Sequence, residues 1–182
     1  RFEWPNQLGA LPMVGFSAIP SAFDQQAGLV MDARALCRSV GKRMCRMDEW
    51  SAGCRGPEKT AYPFGAKLPK QKPSPQEAPC NYAQPYIRPD YAKVFLRDPD
   101  EMRRLYQADP SGARGCVSDS GANDMMGNVE EWVRCPSNLS KTGWCLAGRF
   151  WSDAVPCSKM TGSHVPEWRC YEASFRCCRD AD

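Results

Sequence analysis

One histidine, His164, is all that 182 residues supply. That scarcity excludes most imidazole chemistry at the outset. A two-histidine, one-carboxylate iron triad cannot be assembled within the chain, and a Ser or Cys nucleophile has a single imidazole to call on. There is no G-x-S-x-G elbow and no phosphate-cradling glycine loop. Long apolar runs are missing too, since none approaches the roughly 18 residues of a membrane-spanning helix. Neither sign of charge dominates: 24 Lys and Arg face 21 Asp and Glu, a net of +3. That is too little for a nucleic-acid or membrane footprint. His164 itself reads as a surface loop residue rather than a ligand.

Cysteine, by contrast, is abundant, with 11 residues. No C-x-x-C occurs. Cys37, Cys45, Cys54, Cys80, Cys116, Cys135, Cys145, Cys157 and Cys170 stand alone, and Cys177 and Cys178 are adjacent. Zinc sites show close pairs or added histidines, so this pattern reads as a disulfide framework formed in an oxidising compartment. The expected location is extracytoplasmic: periplasmic, cell-surface or secreted. The odd count leaves at least one cysteine free or paired outside the chain. Cys135 and Cys145 are spaced to close a short loop, but spacing alone does not establish the bond. The chain opens on Arg1 without a signal peptide, so an export signal is expected upstream.

With 42% hydrophobic and 25% charged residues, the chain can bury a core as one domain over residues 1–182. Its 16 prolines and 14 glycines are spread throughout, which implies many turns around modest regular structure. Asp32 is placed to cap a helix over Ala33 to Val40, with Gly41 ending it. A second helix is expected from Met47 to Gly53, with Asp48 and Glu49 at its positive end and Trp50 as core anchor. A third is expected from Asp98 to Ala108, with Met102 and Leu105 inward. The stretch from Gly65 to Pro89, with Lys67, Lys70 and Lys72, reads as an exposed loop. Beyond Gly115 short strands and turns are expected.

Three blocks in order carry a family resemblance. The first runs Ala35-Leu36-Cys37, Gly41-Lys42-Arg43-Met44, Asp48-Glu49-Trp50, Gly53-Cys54-Arg55-Gly56 and Tyr62-Pro63-Phe64-Gly65. The second is Asp124-Met125-Met126-Gly127-Asn128-Val129-Glu130-Glu131-Trp132-Val133. The third is Ala147-Gly148-Arg149-Phe150, then Cys157, ending in Phe175-Arg176-Cys177-Cys178. Together these resemble the formylglycine-generating enzyme, or sulfatase-modifying factor, family from about Leu11 to Asp180. The opening Phe2-Glu3-Trp4-Pro5-Asn6 reads as joining the domain after its usual first strands, so the first strands of the fold are expected to be missing.

The resemblance implies an irregular α+β fold of the C-type-lectin-like kind: loop-rich, with short helices, short antiparallel strands and disulfide staples. It implies that Cys37 pairs with Cys177 or its neighbour Cys178. It also implies that Cys54 is bonded, with Cys157 or Cys170 as partner. It further implies a calcium ion held by the side chains of Asp124 and Glu131 and the carbonyls of Gly127 and Val129. Hard cations favour such oxygen sets. Read without the family, the same block is a structural turn, with Trp132 in the core and Asn128 bonding the backbone. Asn81 and the Tyr82 carbonyl resemble half of a second calcium site.

The family's oxidases hold copper between two cysteines five residues apart. Those places fall on Ser152 and Cys157. A serine hydroxyl is a poor Cu(I) ligand, so copper is not expected and the chain reads as non-catalytic. Trp50, Trp132 and Trp151 are expected in the core, and Trp144 and Trp168 at the surface. Asn138-Leu139-Ser140 is a formal glycosylation sequon. The leading reading is a binding or assembly module for a protein or glycan partner, such as an accessory subunit of a larger surface or periplasmic assembly. The alternative is a copper- or iron-dependent oxidase acting on a cysteine-containing peptide, using Cys157 and Ser152.

Overall fold

The computed structural model describes residues 10–22, 25 and 32–180. Helix α1 spans Ala33–Ser39, and Asp32 caps it by accepting a hydrogen bond from Ala35 N at 2.9 Å. Gly41 follows with φ of +68°, a left-handed turn that glycine adopts without penalty. Strand β1 is Arg43–Met44, and helix α2 is Met47–Arg55. The Glu49 carboxylate accepts from Arg46 N and from Arg43, which holds it down at about 2. Two short helices follow, α3 over Tyr91–Phe95 and α4 over Pro99–Leu105, capped by Asp90 and Asp98. The strands are then β2 (Glu130–Arg134), β3 (Trp144–Ala147), β4 (Met160–Thr161), β5 (Ala173–Phe175) and β6 (Cys177–Cys178).

The main sheet has the order β4-β3-β2-β5, antiparallel except where β5 lies parallel to β2. A two-stranded ribbon pairs β1 with β6, setting Arg43 opposite Cys178 and Met44 opposite Cys177. Strand β2 is buried on both faces, and its alternation sorts side chains into two cores. Trp132 joins Phe16, Trp144, Leu146 and Phe175 on one side, while Val133 joins Trp50, Met125 and Ala147 on the other. The Trp132 indole donates to Phe16 O at 3.0 Å, so its polar atom is satisfied inside the core.

Five disulfides stitch these pieces: Cys37–Cys177, Cys45–Cys178, Cys54–Cys157, Cys80–Cys116 and Cys135–Cys145. Cys177 and not Cys178 takes Cys37, and Cys178 is bonded to Cys45 instead. Cys157 and not Cys170 takes Cys54, and Cys170 is the free cysteine. The disulfide framework, the α+β class and the irregular loop-rich build match the expectation.

Several local expectations differ. Helix α1 ends at Ser39, one residue before the expected Val40, and α2 runs past Gly53 to Arg55. The expected helix to Ala108 stops at Leu105, where Tyr106 turns to extended backbone and its hydroxyl donates to Pro12 O at 2.7 Å. Helix α3 was not expected, since its five residues give too short a periodic pattern to read. Residues 66–77 are largely exposed as expected, but Ala78 and Cys80 to Ala83 are buried, drawn in by the Cys80–Cys116 bond. Trp144 is 3% exposed, not at the surface, because it lies on β3 with the Arg134 guanidinium 4.7 Å over its ring. Trp168 is half-buried and stacks on His164 at 4.1 Å. The opening Phe2 to Asn6, on which the missing-strand expectation rests, lies outside the described residues.

Candidate functional site

The chain leaves β3 at Ala147 through two left-handed residues, Gly148 at φ +86° and Arg149 at +58°. A Cβ on Gly148 would lie 3.2 Å from Met125 O and from the Trp50 ring, so glycine lets this corner close against the core. Trp151 follows, 2% exposed and edge-on to Tyr106 and Phe150. Ser152 comes next, half-buried, and its carbonyl accepts from Lys72 Nζ at 3.2 Å. Cys157 is buried, its amide donates to Ala61 O at 2.8 Å, and its sulfur is bonded to Cys54 on α2. The two positions where the family's oxidases carry thiolates therefore hold a hydroxyl and a disulfide sulfur. Neither is a soft anionic ligand in this state.

The second constellation is the turn that leads into β2. Asp124 (φ +55°) accepts at Oδ2 from Ser111 Oγ at 3.0 Å and Gly112 N at 2.7 Å, and burial pushes its carboxyl up. Gly127 sits against the loop that carries Asn81. A Cβ there would lie 2.1 Å from Asn81 O. Asn128, also left-handed at +61°, donates from its amide to Asn81 O at 2.7 Å. Its side-chain oxygen accepts from Asn81 Nδ2 at 3.1 Å and Asp109 N at 2.8 Å, and its Nδ2 donates to Asp109 O. Asn128 thus welds three loops, as the structural-turn reading expected.

Glu131 is 2% exposed and fully engaged. Its Oε2 accepts from Trp50 Nε1 at 2.8 Å and Arg176 Nε at 2.9 Å, and its Oε1 accepts from Arg176 Nη2 at 2.8 Å. Asn81 donates its Nδ2 to Gln107 O and Asn128, while its buried Oδ1 has no partner in the protein. The hydroxyl of the neighbouring Tyr82 is likewise buried without one. Among the described residues, no three His, Cys, Asp or Glu side chains converge as a metal cluster.

Sequence reasoning missed a carboxyl pair on the other face of β2. Glu130, 3% exposed, lies 3.4 Å from Arg149 Nη1, and burial raises its carboxyl to about 6. Burial, then repulsion from Glu130, raises Glu172 to about 7. Cys170 beside them is pushed up to about 12, mainly by burial, so its thiol stays protonated. The Glu130-Glu131 dipeptide was the available signal, since adjacent strand residues must face opposite sides. Arg176, Ser111 and Asp109 were missed because partners distant in sequence leave no local mark.

Residues 29–181 match the family model of the sulfatase-modifying factor enzyme 1-like domain. Variable protein 1 of Treponema denticola has a similar structure, with a TM-score of 0.52 and 16% identity over 76% of this chain and 48% of that one. CarF is similar too, with a TM-score of 0.52 and 17% identity over 78% of this chain and 48% of that one. The chain therefore spans about half the length of the solved structures it resembles. At these identities the likeness shows the fold alone.

Proposed function

Because this chain belongs to the sulfatase-modifying factor enzyme 1-like domain family, we propose that it is a non-catalytic, extracytoplasmic member that binds a protein or glycan partner. The observation that carries this reading is the pair of positions after β3. Cys157, at the second of the two thiolate positions of an oxidase, is tied to Cys54, and Ser152 stands at the first. A disulfide-stapled base with irregular loops on it suits recognition, in which loops vary and the scaffold holds them. Five disulfides favour an oxidising compartment. No helix among the described residues is long and apolar enough to cross a membrane.

The test is metal analysis with turnover on a cysteine-containing peptide, done on the oxidised chain loaded with Cu(I). The expected result is no stoichiometric copper, no oxygen uptake and no aldehyde product. Copper at one per chain with aldehyde formation would overturn the reading and restore the oxidase alternative.

Calcium is a second part of the proposal, and the residues fit it unevenly. The buried Asn81 Oδ1 lacks a partner and could serve a hard cation as an oxygen ligand, with the Tyr82 carbonyl beside it. At the other position, Asp124 and the Gly127 and Val129 carbonyls offer oxygens, but Glu131 already faces the Arg176 guanidinium. A bound ion would rigidify the turn that Asn128 holds together. Calorimetric titration of chelator-treated protein should give heat and a rise in Tm, both lost in Asn81→Ala. No heat with calcium refutes this part.

A further inference from the structure

The surplus positive charge of the chain equals what one loop carries. Residues 66–76 hold Lys67, Lys70 and Lys72 and no Asp or Glu. Taking these three from the 24 Lys and Arg leaves 21, which the 21 Asp and Glu balance. Lys67 and Lys70 are exposed and enter no ion pair among the described residues, and Lys72 donates to the Ser152 carbonyl oxygen at 3.2 Å. The same loop walls a cavity of about 240 Å³, open on one side, with the segment after Trp151 opposite. Leu68, Pro69, Pro73 and Ala154 make that lining largely apolar, and Lys72 and Asp153 are its charged members. Two acids stand nearby, and each has a partner. Asp153 faces Arg149 at 3.5 Å, and Glu77 accepts from Ser74 Oγ at 2.7 Å. Lys67 and Lys70 adjoin the lining residues Leu68 and Pro69 in the chain. Their ammonium groups therefore act on the mouth within reach of a Debye length of about 8 Å at physiological salt.

Charge and shape together narrow the occupant. Lysines that no acid of the protein neutralises call for an anionic partner. The cavity beside them calls in addition for an apolar group. Its volume lies below the roughly 300–1,000 Å³ typical of sites for drug-sized ligands, so it takes one side chain. A nucleic acid or a sulfated glycan meets the first demand but has no aliphatic group to seat against leucine and proline. A peptide that carries carboxylates around one aliphatic residue meets both. We infer that this loop and cavity form a docking site for an acidic peptide segment of a partner protein, one aliphatic side chain seated among Leu68, Pro69, Pro73 and Ala154 and its carboxylates beside Lys67, Lys70 and Lys72. Burial of the aliphatic group supplies affinity, while the lysines at the rim fix orientation and make the contact sensitive to salt.

The inference rests on the binding-module reading and names its partner, and the two fail separately. Oxidase turnover would overturn the module without bearing on the docking site, while a silent cavity leaves the module standing. The experiment is a titration of the isotope-labelled, oxidised full chain with acetyl-Glu-Asp-Leu-Glu-Asp-amide, followed by amide chemical shifts. Shifts should cluster at residues 67–73 and 153–154, with affinity in the millimolar to high micromolar range usual for so small a probe. Alanine in place of the peptide's leucine should weaken binding about tenfold, and so should glutamine and asparagine in place of its acids. Binding should also weaken several-fold when salt is raised from low to above physiological strength. The double variant Lys67→Glu, Lys70→Glu changes only exposed side chains and should weaken binding about tenfold or more, with the spectrum otherwise intact. Ala154→Leu should fill the mouth and remove the preference for leucine over alanine. Absence of shifts at the cavity, or binding unmoved by the double lysine variant, would overturn the proposal. So would equal affinity for the alanine peptide, or the same cavity shifts with a heparin tetrasaccharide or with phosphatidylglycerol vesicles, since either marks a general anion surface.

Discussion

Gly127 makes the case that some positions admit one residue only. Its φ of +71° already disfavours a side chain, and a Cβ would stand 2.1 Å from the Asn81 carbonyl oxygen. Because that atom is backbone, no rotamer change relieves the clash. Gly127→Ala is therefore expected to lower stability by about 3 kcal/mol or more, from strain plus lost bonds at Asn128. Urea denaturation followed by fluorescence measures it, and a loss below about 1 kcal/mol would mean that the Asn81 loop yields freely. Much of this turn was legible in the sequence, because Gly-Asn in a Asp-x-x-Gly-Asn frame is turn chemistry. Asn81 was singled out by the family resemblance, but its bond to Asn128, 47 residues downstream, left no local mark.

Among the elements, α2 and the segment after β3 are joined by the Cys54–Cys157 bond across 103 residues of sequence. The same two pieces also meet through Trp50, which packs under Gly148 and donates to Glu131. The bond therefore adds to a contact that packing already makes. Replacing both cysteines with serine is expected to cost about 2–4 kcal/mol on the chain-entropy account while the fold persists. Circular dichroism and thermal melts check both parts; a chain that no longer folds would show the disulfide to be the main support. The starts of α1 and α4 were legible because Asp32 and Asp98 are good caps, whereas the end of α4 was set by a tertiary partner, Pro12 for Tyr106. Trp144 went astray for a similar reason: its cover is Arg134, a neighbour across the hairpin rather than along the chain.

For the molecule as a whole, stability should depend on pH in an unusual direction. Glu130 and Glu172 hold their protons to about 6 and about 7, against an ordinary 4.5. A group whose folded pKa is raised stabilises fully below its unfolded pKa, and that contribution is lost as pH rises through the folded value. Their share should therefore be complete near pH 4.5 and gone above pH 7 to 8. Glu49, held down at about 2, works the other way but only below its ordinary 4.5. Tm is thus expected to be higher near pH 5 than at pH 8, by an amount on the order of 2 kcal/mol in stability. Glu172→Gln should flatten the difference, and a Tm that rises steadily from pH 5 to 8 would contradict the assignment. Composition could not foretell this, since two carboxyls become a pair only when β2 and β5 lie side by side.

The β1–β6 ribbon also governs the order in which the chain can be built. Cys37 and Cys45 find their partners at Cys177 and Cys178, separated by 140 and 133 residues. A chain delivered from its amino end into an oxidising space presents Cys37, Cys45 and Cys54 to one another long before any native partner arrives. The bonds that form first are then wrong ones, and reaching the native set requires thiol–disulfide exchange. Maturation of this domain should therefore be slow and sensitive to the redox buffer, with the final two residues of the ribbon acting as the lock that closes last.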